Sequence, residues 1–239
     1  MSGLKIAIGY GVFPQKLGFC GPQEKYASQD LLNYLLGKRI SEERIRKIMK
    51  KFKGAYSYYK LIAKSNKIKD SFDERVVEAY WIGNNLLDRV KFSDLRKMII
   101  DDFSAPGLLK QEEAERRAKN IPLNSRPHHS FHVLVIGSVS GRVDLKGKLL
   151  DLCRIGWGRV QELKKHKVII DYYPLSNKRP FYIGKPIKKE FSWNKDLIPK
   201  IKKRDWVTTH WNNLIQVINK ENLNNLKKYT QITLNSFNE

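Results

Sequence analysis

"CRIGWGRVQELKKHKVIIDYYPL", Cys153 to Leu175, holds two apolar, β-branched runs on either side of the polar tetrapeptide Lys164–Lys167. Short runs of this kind, bounded by a polar cluster, predict two strands joined by a turn. "RPFYIGKPIKKEF", residues 179–191, supplies a third strand with length enough for a fourth. A small β unit therefore begins at Cys153.

The sequence before it has a different period. Leu31, Leu32, Leu35 and Leu36 recur helically between Pro22 and Gly37. Ser41 caps "EERIRKIMKKF", where Ile45, Ile48, Met49 and Phe52 form one stripe and Glu42 and Glu43 sit at the positive end of the helix dipole. Helical spacing continues through "AYSYYKLIAKS", through Val76, Tyr80 and Leu87, and through Phe92, Leu95 and Ile99. The charged segment 105–127, bounded by prolines, predicts an exposed helix between loops. "FHVLVIGSV", residues 131–139, is continuously apolar, so helix and strand cannot be separated by period. After the β unit, "RDWVTTHWNNLIQVI" puts Val207, Trp211, Leu214 and Ile218 on a helical stripe behind an Asp205 cap, and Leu223, Leu226 and Thr230 predict a final helix.

The chain carries 46 Lys and Arg against 24 Asp and Glu, a formal charge of +22, of which +11 falls on residues 153–239. "KPIKKE" and "IPKIKKR" there suit a polyanion, so nucleic acid is one expected partner class, although a Lys, Ile and Asn bias alone also produces such a charge. Two cysteines, Cys20 and Cys153, are too few for a secreted disulfide framework. With no leader-like apolar core and no long apolar run, the expectation is a reduced, cytoplasmic protein with no membrane contact.

Three of the five histidines fall in "RPHHSFHV", residues 126–133. His128 and His132 share a face in helix and strand alike. Two imidazoles begin a site for Zn²⁺, Fe²⁺ or Ni²⁺, which needs further donors from Cys153, His210 or Cys20. Hydrogen-bonded core histidines are the plain alternative, and His166 in its Lys-rich turn reads as surface. Cys20 stands just before the first expected helix, where the dipole lowers a thiol's pKa. Paired with His129 it would make a Cys–His nucleophile, and a small buried hydrophobe is its plain alternative. Trp206 and Trp211 flank His210 and would keep water from it. "AIGYGVFPQ" fails as a dinucleotide loop because Pro14 stands at the third glycine position.

The blocks "YGVFPQKLGFCGP", "RVVEAYWIGNNLLDRV", "RPHHSFHV", "LDLCRIGWGRV" and "DWVTTHWNNL" together resemble an uncharacterised prokaryotic family spanning nearly the whole chain. Within it, "LCRIGWGRV" is similar to the start of HypC-type hydrogenase assembly chaperones. In those proteins a cysteine is followed at fixed spacing by glycine, a basic residue and an apolar residue; Cys153, Gly158, Arg159 and Val160 match. Cys153 is internal, however, and Trp157 stands where proline is expected. The resemblance implies a small β-barrel and an iron centre carried on the cysteine toward a protein partner.

The expected fold is α+β: a mainly helical N-terminal half, a small β-barrel-like unit and C-terminal helices. Residues 1–125 would form the helical domain, and 126–239 the histidine segment, the β unit and a C-terminal helical pair. The expected function is a cytoplasmic accessory protein of metalloenzyme assembly, of the nickel–iron hydrogenase kind. It would carry a transient iron, nickel or zinc ion on His128, His132, Cys153 and His210 and meet an acidic protein partner. A Cys–His enzyme using Cys20 and His129, and a nucleic-acid-binding protein using the basic C-terminal third, are the alternatives.

Overall fold

The structure, a computed structural model, describes residues 2–238. Ser41 accepts a hydrogen bond from the Arg44 amide, and behind this cap Ile45, Ile48 and Met49 are buried along α3 (Glu42–Lys50). The same cap-and-stripe logic builds α5 (Glu74–Trp81), where Asp73 accepts from the Arg75 amide and Val76, Val77 and Tyr80 face inward. Around them lie α1 (Gly3–Lys16), α2 (Ala27–Leu35), α4 (Lys53–Ser65), α6 (Phe92–Phe103) and α7 (Gln111–Lys119). The undecided apolar stretch is helical: α8 (His129–Phe131) runs into a π-helical turn over His132–Ile136. Next, α9 (Lys148–Cys153) leads into the β unit.

That unit is a closed barrel in the order β1-β2-β3-β5-β4, made by β1 (Gly156–Leu163), β2 (Lys167–Tyr172), β3 (Ile187–Ser192), β4 (Trp206–His210) and β5 (Asn213–Ile218). Every pairing is antiparallel except β3 with β5, which gives the Greek-key order of OB barrels. A side chain at Gly156 would collide with Tyr172 and Thr209, and one at Gly158 with the Asp171 carbonyl, so glycine is what lets β1 lie this close to both neighbours. After the barrel, α10 (Lys220–Asn238) packs Leu223, Leu226 and Tyr229 into the core. The α+β class holds. One apolar cluster runs from Leu4 of α1 through Trp157 and Ile215 of the barrel to Tyr229 of α10. Among the described residues no helix is long and apolar enough to cross a membrane.

Two expectations are corrected. Residues 206–218 are the β4–β5 hairpin, so a single helix, α10, follows the barrel where a helical pair was expected. Trp211 and Asn212 both take positive φ (47° and 59°) and form a tight turn, which a helix cannot contain. Asp205 caps no helix; its carboxylate accepts from the Lys202 amide ahead of β4. At the other end, the glycine-punctuated opening is the full helix α1, with Pro14 in its last turn.

The joint between the helical part and the barrel is ionic. Arg154, at the end of α9, is fully buried and pairs with Asp151 at 2.9 Å. Its guanidinium also donates to the Ile155 carbonyl (3.2 Å), the Tyr172 hydroxyl (3.2 Å) and the Tyr173 carbonyl. The Asp151 carboxylate in turn accepts from the Tyr172 hydroxyl and the Leu175 amide, each at 2.8 Å. Removing one partner of such a pair strands a charge away from water. Asp151→Ala is therefore expected to lower the unfolding free energy by about 3–5 kcal/mol in urea titrations, and Asp151→Leu with Arg154→Met to recover most of it.

Candidate functional site

The backbone at His128 is extended (φ −104°, ψ 153°), and its Nδ1 accepts from the Ser130 amide at 3.2 Å. His128 is thus the cap of α8, with its ring against Tyr229, 5.9 Å between centroids. The helix starts one residue later, so His129 and His132 share a face, their rings 6.3 Å apart. His129 reaches the Cys153 carbonyl through Nε2 (2.9 Å) and the Tyr80 hydroxyl through Nδ1 (3.0 Å). His210, the last residue of β4, donates from Nδ1 to the Tyr10 carbonyl at 2.7 Å. Its Nε2 is buried and has no partner. Cys153 ends α9, and the donor atoms of His129, Cys153 and His210 all lie within 4.8 Å of one another.

These three side chains line a pocket of about 730 Å³, counting the solvent at its mouth. Cys20, His132, Tyr80, Trp81, Lys53 and Arg142 line it too. The pocket therefore gathers five of the six residues nominated from sequence; His128 is the one outside it. Cys153 and His210, nominated as donors to complete a site on His128 and His132, come together with His129 instead, while Cys20 lines the same pocket outside that group. His129, nominated as the base for Cys20, stands instead with Cys153 and His210. His132 holds the Tyr58 hydroxyl through Nδ1 at 3.3 Å. His166 is exposed in the β1–β2 turn.

Burial keeps the imidazoles and thiols of this pocket neutral. It drives the His129 pKa well below 6.5, with His210 and His132 adding to the effect. It lowers His210 to about 4 against the opposing Tyr10 and Cys153 carbonyls, and lowers His132 to about 4 with help from Arg117. It raises the Cys153 thiol well above 9, the nearby Trp211 indole opposing. The expected activation of Cys20 is reversed: burial pushes its thiol up to about 11, with Arg142 pulling down. Position also removes the expected dipole. Cys20 follows the C-terminal, negative end of α1, its amide bonded to the Pro14 carbonyl, and α2 begins only at Ala27. No hydrogen bond links its thiol to His129, whose two ring nitrogens are both engaged elsewhere.

Proton positions follow from the partners. A carbonyl only accepts, so neutral His129 keeps its proton on Nε2, toward Cys153, and its bare Nδ1 needs the Tyr80 proton. The Gly54 carbonyl, 3.1 Å from the same hydroxyl, needs it as well. One proton thus faces two acceptors. By the same rule His210 carries its proton on Nδ1 and presents a bare lone pair from Nε2. Tyr80, Trp81, Tyr10 and Arg142 were not nominated; Tyr80 was read only as part of an apolar stripe, and nothing local marks Tyr10, which acts through its backbone.

The family can be placed at this point. A model of a family of unknown function, DUF6390, matches residues 2–239. The chain belongs to that family. No curated protein and no solved structure matches it.

Two outcomes follow from the buried groups. Histidines held at about 3 (His128) and about 4 (His132, His210) stay neutral in the fold while the unfolded chain protonates near 6.5. The stability they allow is fully present above pH 6.5 and is lost as pH falls toward 4, by up to about 1.4 kcal/mol per pH unit for each; denaturant titrations across that window measure it. Iodoacetamide should label Cys20 slowly at neutral pH and faster as pH approaches 11, with Cys153 slower still, and both promptly on unfolding.

Proposed function

We propose that the protein is an accessory factor that holds a soft divalent metal ion transiently on His129, Cys153 and His210. The observation that carries this reading is the convergence of three buried side chains, one ligand atom each from His129, Cys153 and His210 within 4.8 Å of the others, with the buried His210 Nε2 making no hydrogen bond. Metal-binding histidines are oriented by the proton on their other nitrogen, and the Nδ1–H bond to the Tyr10 carbonyl supplies that orientation. The donor chemistry, one thiolate and two imidazoles, suits iron, nickel or zinc.

His129 favours the same reading. With a cation on Nε2 its proton belongs on Nδ1, where it is donated to the Tyr80 oxygen, and the Tyr80 proton then serves the Gly54 carbonyl alone. The conflict of one proton with two acceptors disappears, and the Cys153 carbonyl gives up its His129 donor in exchange.

A labile ion fits better than a structural one. Three donors leave a position open toward the pocket, whereas structural sites close all four. Cys153 is a neutral thiol in its dry setting, so the ion must displace its proton, which weakens binding and ties it to pH. The resemblance of the Cys153–Val160 stretch to hydrogenase assembly chaperones makes a nickel–iron enzyme the proposed destination. An acidic protein would complement Lys53 and Arg142 at the pocket.

Anaerobic titration with Co²⁺ tests the site. A near-ultraviolet sulfur-to-cobalt absorption band is expected in the wild type, absent in Cys153→Ser, weakened in His210→Ala and kept in His128→Ala. Identical spectra for wild type and Cys153→Ser would overturn the proposal.

A further inference from the structure

On the outer side of the barrel, α10 turns Asn224, Lys227, Lys228 and Gln231 toward a groove floored by Trp157, Tyr173, Ile183 and Gly184. The helical residues fall at i, i+3, i+4 and i+7, one face of α10, and all four are exposed. The groove holds about 950 Å³. An aromatic ladder runs from this floor to a ring beside it: Trp157 stacks on Tyr173 (6.3 Å, 26°), and Tyr173 lies 6.3 Å from Trp206 at 34°. The Lys227 ammonium stands over both Tyr173 (5.7 Å) and Trp206 (5.5 Å), and Arg159 stands over Trp206 at 5.8 Å.

Three features of the groove are left unused by the fold. The Trp157 side chain is 2% exposed, yet its indole N–H has no acceptor. Lys227 has no carboxylate partner, and the Asn224 amide makes no hydrogen bond, among the described residues. An aromatic surface with a cation held above it is where a flat ring can replace the ammonium, which then becomes free for an anion beside that ring. The unused Asn224 amide, on the exposed face of α10, offers hydrogen bonds to a ring edge, whereas the Trp157 indole N–H lies beneath the floor. Aromatic ring, polar edge and adjacent anion together describe a nucleotide.

We propose that this groove binds single-stranded nucleic acid, with a base on Tyr173 and Trp206 and the backbone phosphates along Lys227 and Arg159; Lys228 is already paired with Asp88 at 3.8 Å. A strand fits better than a single nucleotide because a second cation, Arg159, stands beside Trp206 at the end of the ladder, and because residues 153–239 carry +11. The groove lies on the β1–β4 side, away from the β2–β3 face that OB barrels ordinarily use. On that ordinary face Lys164 and Lys167 are already paired with Glu190. This inference does not depend on the metal reading.

The test is fluorescence anisotropy of a labelled oligothymidylate of about 12 nucleotides, with tryptophan emission followed in parallel and salt varied. The wild type should bind with quenched tryptophan emission. Lys227→Gln should reduce the salt dependence by about one phosphate contact, while Lys200→Gln, outside the groove, leaves binding less affected. Trp206→Leu should weaken binding about tenfold at an unchanged unfolding midpoint. If that variant unfolds, Lys227→Gln and Asn224→Ala carry the test. Absence of binding overturns the proposal. So does a duplex or adenosine monophosphate binding as tightly as the strand, or Lys200→Gln weakening binding as much as Lys227→Gln, the result expected when net charge alone attracts polyanions or when an acidic protein is the true partner.

Discussion

A guanidinium with no access to water dictates where the rest of this molecule sits. Arg154 is fully buried, so its charge and N–H donors must be met by protein groups, and the groups that meet them come from α9, the link from α9 to β1, β2 and the segment after β2. An ion pair of this kind adds little net stability, but its directional bonds admit few arrangements. Cys153 precedes Arg154 directly. Its sulfur and carbonyl are therefore placed by the same constraint that closes the helical part onto the barrel. The Trp211 amide, bonded to the Leu152 carbonyl at 2.9 Å, ties the β4–β5 turn to the same turn of helix.

The pocket chemistry follows from that closure. His129, Cys153 and His210 come from three separate elements, so no local structure brings them together; only the shared core does. Its dryness has opposite effects on the two donor types. Imidazoles held neutral are ready to donate a lone pair, whereas a thiol held neutral must first lose its proton. The two histidines are thus prepared in advance and the cysteine is not, which makes the sulfur the point at which proton and metal compete.

Much of the helical half was legible because its stripes and caps agree: Ser41 with Ile45, Ile48 and Met49 is the clearest case. The strands β1 and β2 were legible from β-branched runs around a polar turn. The β4–β5 hairpin was not, because Val207, Trp211, Leu214 and Ile218 happen to match a helical spacing. The competing signal was the run Val207-Thr208-Thr209 followed by an asparagine in the turn. Alternation was hidden there, since β4 is buried on both faces: Thr208 meets the Tyr10 hydroxyl at 2.8 Å on the α1 side. The histidine pairing was misread by one residue, because period cannot tell where a helix starts and His128 is its cap. Cys20 was misjudged because α1 went unrecognised, and with it the sign of the nearest helix dipole.

One short segment serves both proposed sites. The segment from Cys153 to Arg159 begins with the thiol in the inner pocket, and four residues on it places Trp157 in the floor of the outer groove. Between them Arg154 stacks over the Trp157 ring at 5.0 Å while it holds Asp151. The orphan indole N–H of Trp157 and the thiol of Cys153 are therefore fixed by the same buried cation. A displacement of Arg154 would disturb both, since the guanidinium's partners are all fixed groups of a close-packed core. The two sites are chemically unrelated, but the first turn of the barrel positions them as a single rigid unit.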